Sequence, residues 1–193
     1  MHNDAVAERR RKRLVGGFII SIMVLSAFGF VLSQSGTQSR KYGDFKFKPY
    51  RNQWMTTIED KKAVFNFHPS DLESINVTGD VKGKLSGEVV IITFDPGGNF
   101  TENVAEAAYF MGQSLQELDG SFIVWGLTNA SGTQLPELSC ANASVAEPIV
   151  YIVEAESSGV RVEGDCVIVS ASRAQEFYAV AERLLYVIYG VMT

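Results

Sequence analysis

Acid–base, nucleophilic or metal chemistry needs a histidine, an activated thiol or hydroxyl, or a set of ligands, and this chain offers few of them. Its histidines are His2 and His68. His68 precedes Pro69 at the end of an apolar run, a position that suits a structural histidine better than a general base. The cysteines Cys140 and Cys166 have no second Cys or His at ligand spacing, so no zinc motif is present. Neither cysteine has a further histidine to activate it. The best ligand-binding candidate is the loop Asp95-Pro96-Gly97-Gly98-Asn99, because it joins the carboxyl end of an apolar run to a helical pattern. Open α/β sheets bind ligands at such junctions. Asp95, Gly97 and Gly98 are its candidate residues. The loop lacks the lysine of a P-loop and the spacing of a dinucleotide fingerprint, so no cofactor and no metal are expected. The competing account is a turn that only glycine permits. Carboxylates are plentiful, but no spacing singles out an acid/base pair.

The side chains that can be modified are more informative. Asn76-Val-Thr78, Asn99-Phe-Thr101, Asn129-Ala-Ser131 and Asn142-Ala-Ser144 all fit N-x-[ST], so half of the eight asparagines stand in acceptor sequences for N-glycosylation. A glycan on Asn99 would crowd the Asp95 loop. An even cysteine count in an oxidising compartment suggests one disulfide, Cys140 to Cys166, with two buried free thiols as the alternative.

The elements that must position these residues begin with a hydrophobic run. Leu14 to Ser33 is uncharged and follows Arg9-Arg10-Arg11-Lys12-Arg13. Roughly 20 helical residues cover a bilayer's hydrocarbon core, and this run has that length. It reads as a transmembrane helix in contact with membrane lipid. Two other readings stand beside it. A cleaved signal is one, although such apolar regions usually run about 7 to 15 residues. A pilin-like leader ahead of Phe18 is the other. The basic cluster keeps residues 1–13 in the cytoplasm by the positive-inside rule, although Arg40, Lys41, Lys46, Lys48 and Arg51 on the far side weaken the asymmetry. The four sequons and both cysteines all lie after the run, which restores it. The expected organisation is a cytoplasmic tail (1–13), a span (14–33), a linker (34–41) and an extracytoplasmic domain (42–193).

Charge narrows the function. After Ser33 there are 12 basic and 20 acidic residues, a net of −8. Nucleic-acid binding needs the opposite balance, so that class is rejected for the outer part. The basic tail suits anionic headgroups of the inner leaflet.

Hydrophobic periodicity predicts an α/β or α+β fold. Phe45 and Phe47, then Trp54 to Ile58, then Val64 to Phe67 suggest an antiparallel meander with a polar turn at Glu59 to Lys62. Ser70 with Glu73 suggests a capping box for a helix over Asp71 to Ile75, and Asn76 to Gly87 reads as a loop. Glu88 to Phe94, a helix over Glu102 to Leu118 capped by Thr101, and Phe122 to Leu127 together predict a parallel, right-handed βαβ crossover. Thr128 to Glu147 is a long loop. Strands follow at Ile149 to Val153, Val160 to Glu163 and Cys166 to Ser170. A capping box of Ser172 and Gln175 then predicts a core-packing helix to Tyr189, its apolar stripe interrupted by Arg173, Glu176, Glu182 and Arg183.

The segments Cys140-Ala-Asn-Ala-Ser144, Pro148 to Ile152, Glu163-Gly-Asp-Cys166-Val-Ile-Val169 and Leu184-Leu-Tyr186 with Tyr189-Gly190 resemble the C-terminal part of uncharacterised small archaeal single-span membrane proteins. The resemblance implies an anchored outer domain with a paired-cysteine element, and supplies no catalytic residues. The expected function is a non-catalytic envelope interaction or structural module, binding another envelope protein or a second copy of itself. A carboxylate-dependent enzyme acting near Asp95 on glycan or peptide, and a pilin-like subunit, are the alternatives.

Overall fold

The computed structural model describes residues 16–26 and 39–193. The chain divides into two compact units, Met1–Gln38 and Ser39–Thr193. In the first unit residues 16–26 are helical. Among the described residues no helix is long and apolar enough to cross a membrane. The basic tail, and the two ends of the apolar run at Leu14 and Ser33, lie outside the described residues.

The second unit opens with an antiparallel sheet, β1 (Arg40–Tyr42), β2 (Phe45–Tyr50), β3 (Gln53–Ile58) and β4 (Lys61–Phe65), ordered as in the chain. Three strands are expected from the sequence, and the added one is Arg40–Tyr42, which pairs with β2. The expected polar turn also shortens: Glu59 and Asp60 alone make it, both at positive φ, so Lys61 and Lys62 enter β4. A two-residue turn with both φ values positive matches the right-handed twist of the strands it joins.

The larger sheet has six strands: β5 (Asn76–Thr78), β6 (Val89–Phe94), β7 (Phe122–Leu127), β8 (Ile149–Glu154), β9 (Gly159–Glu163) and β10 (Cys166–Ala171), in the spatial order β5-β9-β10-β8-β6-β7. β10, β8, β6 and β7 are mutually parallel, and β9 is antiparallel to β10. The expected parallel crossover is present, β6 leading through helix α2 (Thr101–Ser114) to β7. The segment 76–87, expected as loop, instead holds β5 and a short helix, α1 (Val81–Lys84), which Asp80 caps by accepting from the Gly83 N–H at 2.9 Å.

β-Branched runs read this continuously because both faces of the sheet are covered. On one face Val90, Ile92, Val150, Ile152, Val167 and Val169 join α2, the last helix α3 (Glu176–Ile188) and the inner face of the four-stranded sheet in one large core. On the other face Ile91, Ile149, Cys166 and Ile168 pack with Leu138, Cys140 and Ala143 of the long loop. Both cores and the disulfide lie within residues 39–193. This unit therefore carries all the packing among the described residues that an independent fold requires.

Three expected helix caps differ from the sequence reading. Thr101 is the first residue of α2 and Phe100 its cap, while the far end unwinds through a π turn, Leu115–Asp119. Before the second sheet a 3-10 turn, Pro69–Asp71, replaces the Asp71 to Ile75 helix, and its cap is His68 rather than Ser70. α3 starts at Glu176, and Ser172 donates its hydroxyl to the Glu176 carboxylate at 2.9 Å. Hydrogen bonds from Ser158, Ser172 and Arg173 hold the Glu176 carboxyl down at about 2.

Candidate functional site

β6 and β8 are adjacent and parallel, so the Asp95 loop and Glu154 emerge together at the carboxyl edge of the sheet. A cleft of about 190 Å³ lies there, lined by Asp95, Gly98, Val104 and Tyr151 to Glu154. The loop is tied internally. The Gly97 N–H donates to Asp95 Oδ1 at 2.8 Å, and the Thr101 hydroxyl donates to the Gly98 carbonyl at 2.8 Å.

The decisive contact comes from Glu154. Its Oε1 accepts the Phe100 N–H at 2.7 Å, and its Oε2 accepts from Asn99 Nδ2 at 2.9 Å. A helix N-terminus presents unpaired N–H groups and the positive end of the helix dipole, so it attracts an anion. Here the protein's own carboxylate takes that place. Gly98 belongs to the same arrangement, because a Cβ at this position would fall 2.7 Å from Glu154 Oε1. The loop residues singled out in the sequence thus meet at one place. Gly98 admits the Glu154 carboxylate, Gly97 closes a turn on Asp95, and Asp95 borders the cleft beside Tyr151. Burial first, and then the Asp95 charge, raises the Tyr151 hydroxyl above its ordinary value.

The cysteines form the disulfide Cys140–Cys166, with Cα atoms 5.3 Å apart. It joins a short 3-10 turn, Cys140–Asn142, to the first residue of β10. The loop that it pins lies across the sheet: Thr93 donates its hydroxyl to the Leu138 carbonyl at 2.8 Å, and the Leu138 side chain stands over Gly126, where a Cβ would come within 2.8 Å of it. The loop also reaches the outer strand, for the Leu127 N–H donates to the Pro136 carbonyl and the Leu138 N–H to the Leu127 carbonyl.

All four sequon asparagines are exposed. In Asn129 and Asn142 the side-chain oxygen accepts from Ser131 N–H and Ser139 N–H. Asn99 uses its amide nitrogen to reach Glu154.

His68 is buried, with 3% of its surface exposed. The rings of Phe47 and Trp54 stand edge-on to it at 5.1 and 5.0 Å, and its Nδ1 pairs with the Ser70 hydroxyl at 2.8 Å. Burial lowers its pKa, so the neutral ring is favoured. This is a core residue rather than an accessible base. Among the described residues no three His, Cys, Asp or Glu side chains converge to hold a metal ion.

The sequence reading missed one buried acid. Glu182 and Arg183, which interrupt the apolar stripe of the last helix, are both buried. Glu182 accepts the Asn66 N–H and Asn66 Nδ2 at 2.7 Å each and the Phe67 N–H at 2.9 Å, fastening the end of β4 to α3. Two adjacent charges among Phe177, Val180, Ala181, Leu184 and Leu185 were the available signal.

No family model, curated protein or solved structure matches the chain.

Proposed function

We propose that this chain is a single-pass membrane protein whose residues 14–33 anchor an extracytoplasmic domain, and that the domain serves as a non-catalytic interaction or structural module of the cell envelope. The anchor reading draws on the 20-residue uncharged run behind five basic residues. The observation that carries the compartment is the Cys140–Cys166 disulfide. Such bonds persist in oxidising surroundings, and the four exposed sequons fit the same side of a membrane. Two features support binding over catalysis. The most reactive position of the Asp95 loop, the helix N-terminus, is taken up by Glu154, and His68 is enclosed by aromatic rings.

An enzyme acting through Asp95 and Tyr151 is the second reading, favoured by their shared cleft. Asp95→Asn separates the two: an unchanged phenotype in cells dependent on the protein removes the catalytic reading.

The intact mass of membrane-extracted protein, with and without reduction, tests the main proposal. The expected result is a full-length chain from Met1, a gain of about 2 Da on reduction from one disulfide, and heterogeneous additions at the sequons. Free thiols together with absence from the membrane fraction would overturn it, and loss of the residues before Phe18 would establish a processed, pilin-like subunit instead.

A further inference from the structure

The charge of the outer domain is unevenly placed. Residues 39–65 hold seven basic and three acidic side chains, a net of +4, whereas residues 66–193 hold five basic and 17 acidic, a net of −12. The positive pole coincides with the four-stranded sheet.

Strand alternation sorts its side chains. Phe47, Thr56, Ile58, Ala63 and Phe65 point into the core. The register then sends Lys41, Lys46, Lys48 and Lys62 to the outer face with Tyr50 and Met55. Those four lysines and Tyr50 are exposed, and no strand carboxylate shares this face. Lys41 stands directly opposite Lys46, an arrangement that costs stability. Among the described residues none of the four makes an ion pair. Lys61, by contrast, points inward and donates to the Glu117 and Leu118 carbonyls.

The acids of this region lie in its turns rather than in its strands. Asp44 lies in the β1–β2 turn, and Glu59 and Asp60 in the β3–β4 turn, at the same end of the meander. The chain enters β1 at the opposite end, where Arg40 pairs with Phe47, and the β2–β3 turn beyond carries Arg51, whose guanidinium stands over the Tyr50 ring.

We propose that this outer face is a docking surface for anionic phospholipid headgroups of the membrane that anchors the chain. The proposal rests on the anchored reading above. Six residues, Gln34 to Ser39, separate the apolar run from β1, and they can span at most about 20 Å. β1, the first strand of this face, therefore begins within reach of the end of the run. Lysines gain from anionic headgroups, so the docking requires acidic phospholipid in the outer leaflet, and amphipathic Tyr50 suits the interface. The remaining, strongly acidic part of the domain is repelled from the same surface, which orients the module.

The test uses the disulfide-bonded domain 39–193, which carries its own cores, and vesicles of phosphatidylcholine with or without phosphatidylglycerol. Binding is expected only to the anionic vesicles. Lys46→Gln with Lys48→Gln should weaken it about 25-fold, about fivefold for each lysine. Lys82→Gln, an exposed lysine of α1, should change little. Salt at about 1 M should release the domain, because the screening length falls to about 3 Å. Absence of binding to anionic vesicles, or binding unchanged in the double variant with its melting temperature preserved, would overturn the proposal. Tighter binding to polyglutamate than to the vesicles would assign the face to an acidic protein and also overturn it. Carbonate extraction of the full chain reports on the anchor separately. Retention in the membrane without vesicle binding by the domain removes the docking face alone, whereas release of the full chain with vesicle binding intact supports the face and removes the anchor.

Discussion

Glu182→Gln tests the balance of forces at the joint between the four-stranded sheet and the last helix. Glu182 is fully buried, and burial pushes its carboxyl up from 4.5 to about 7, with the three N–H donors from Asn66 and Phe67 pulling against that rise. A raised value means that the folded protein holds the proton more tightly than the unfolded chain. The resulting stabilisation is complete below about pH 4.5 and is lost as pH rises through about 7, a change of about 3 kcal/mol. Glutamine has no such titration. It does place an NH₂ where an oxygen accepted a hydrogen bond, and its least costly orientation leaves the Phe67 N–H without a partner, about 1 to 3 kcal/mol. Near pH 5 the variant of the 39–193 domain should therefore melt below the parent, by about 4 to 8 °C for a loss of about 2 kcal/mol. By pH 8 the deficit should close, because the parent now carries a buried charge. Thermal melts followed by circular dichroism across this range measure the difference, in which titrations common to both proteins cancel. A deficit that widened with rising pH would refute the reasoning, since the three donors would then outweigh burial and hold the carboxyl below its ordinary value.

Other perturbations give equally direct outcomes. Replacing Cys140 and Cys166 by alanine removes a link across 26 residues and should cost about 3 to 4 kcal/mol in urea unfolding; an unchanged midpoint would show that the loop is held by packing alone. Glu154→Ala leaves the Phe100 N–H and Asn99 without their acceptor and should cost about 1 kcal/mol. Gly98→Ala should destabilise the parent but not the Glu154→Ala protein, because its Cβ clashes only with that carboxylate. A double-mutant cycle with no coupling would contradict the packing described at this helix.

The parts of the fold that were legible are those written in local periodicity. The run of β-branched residues from Val89 to Phe94, the alternating Phe45 and Phe47, and the apolar stripe from Phe177 to Ile188 each declare an element through spacing alone. The disulfide was legible because two cysteines admit one intramolecular pairing. The helix caps were not, because their partners come from afar. Thr101 has the right side chain to cap α2, yet the acceptor arrives from Glu154, 54 residues from Phe100. Glu182 likewise meets donors 116 and 115 residues away. Local sequence rules assign charges to solvent, and only tertiary pairing can bring one inside. At the Asp95 loop the sequence identified the meeting point of strand and helix, but not that the chain fills its own anion position.

The disulfide-pinned loop also governs how the large sheet ends. β7 is an outer strand without a charged residue, and at Leu127 its free side is met by Pro136 to Leu138. The parallel register directs the backbone groups of Ile123, Trp125 and Leu127 away from β6. An apolar edge of this kind templates pairing with other chains unless it is obstructed. The Pro136 to Leu138 segment obstructs it at Leu127, and Cys140, two residues on, fastens that segment. Reduction would thus do more than soften the fold: it would loosen the segment that closes the carboxyl end of this edge.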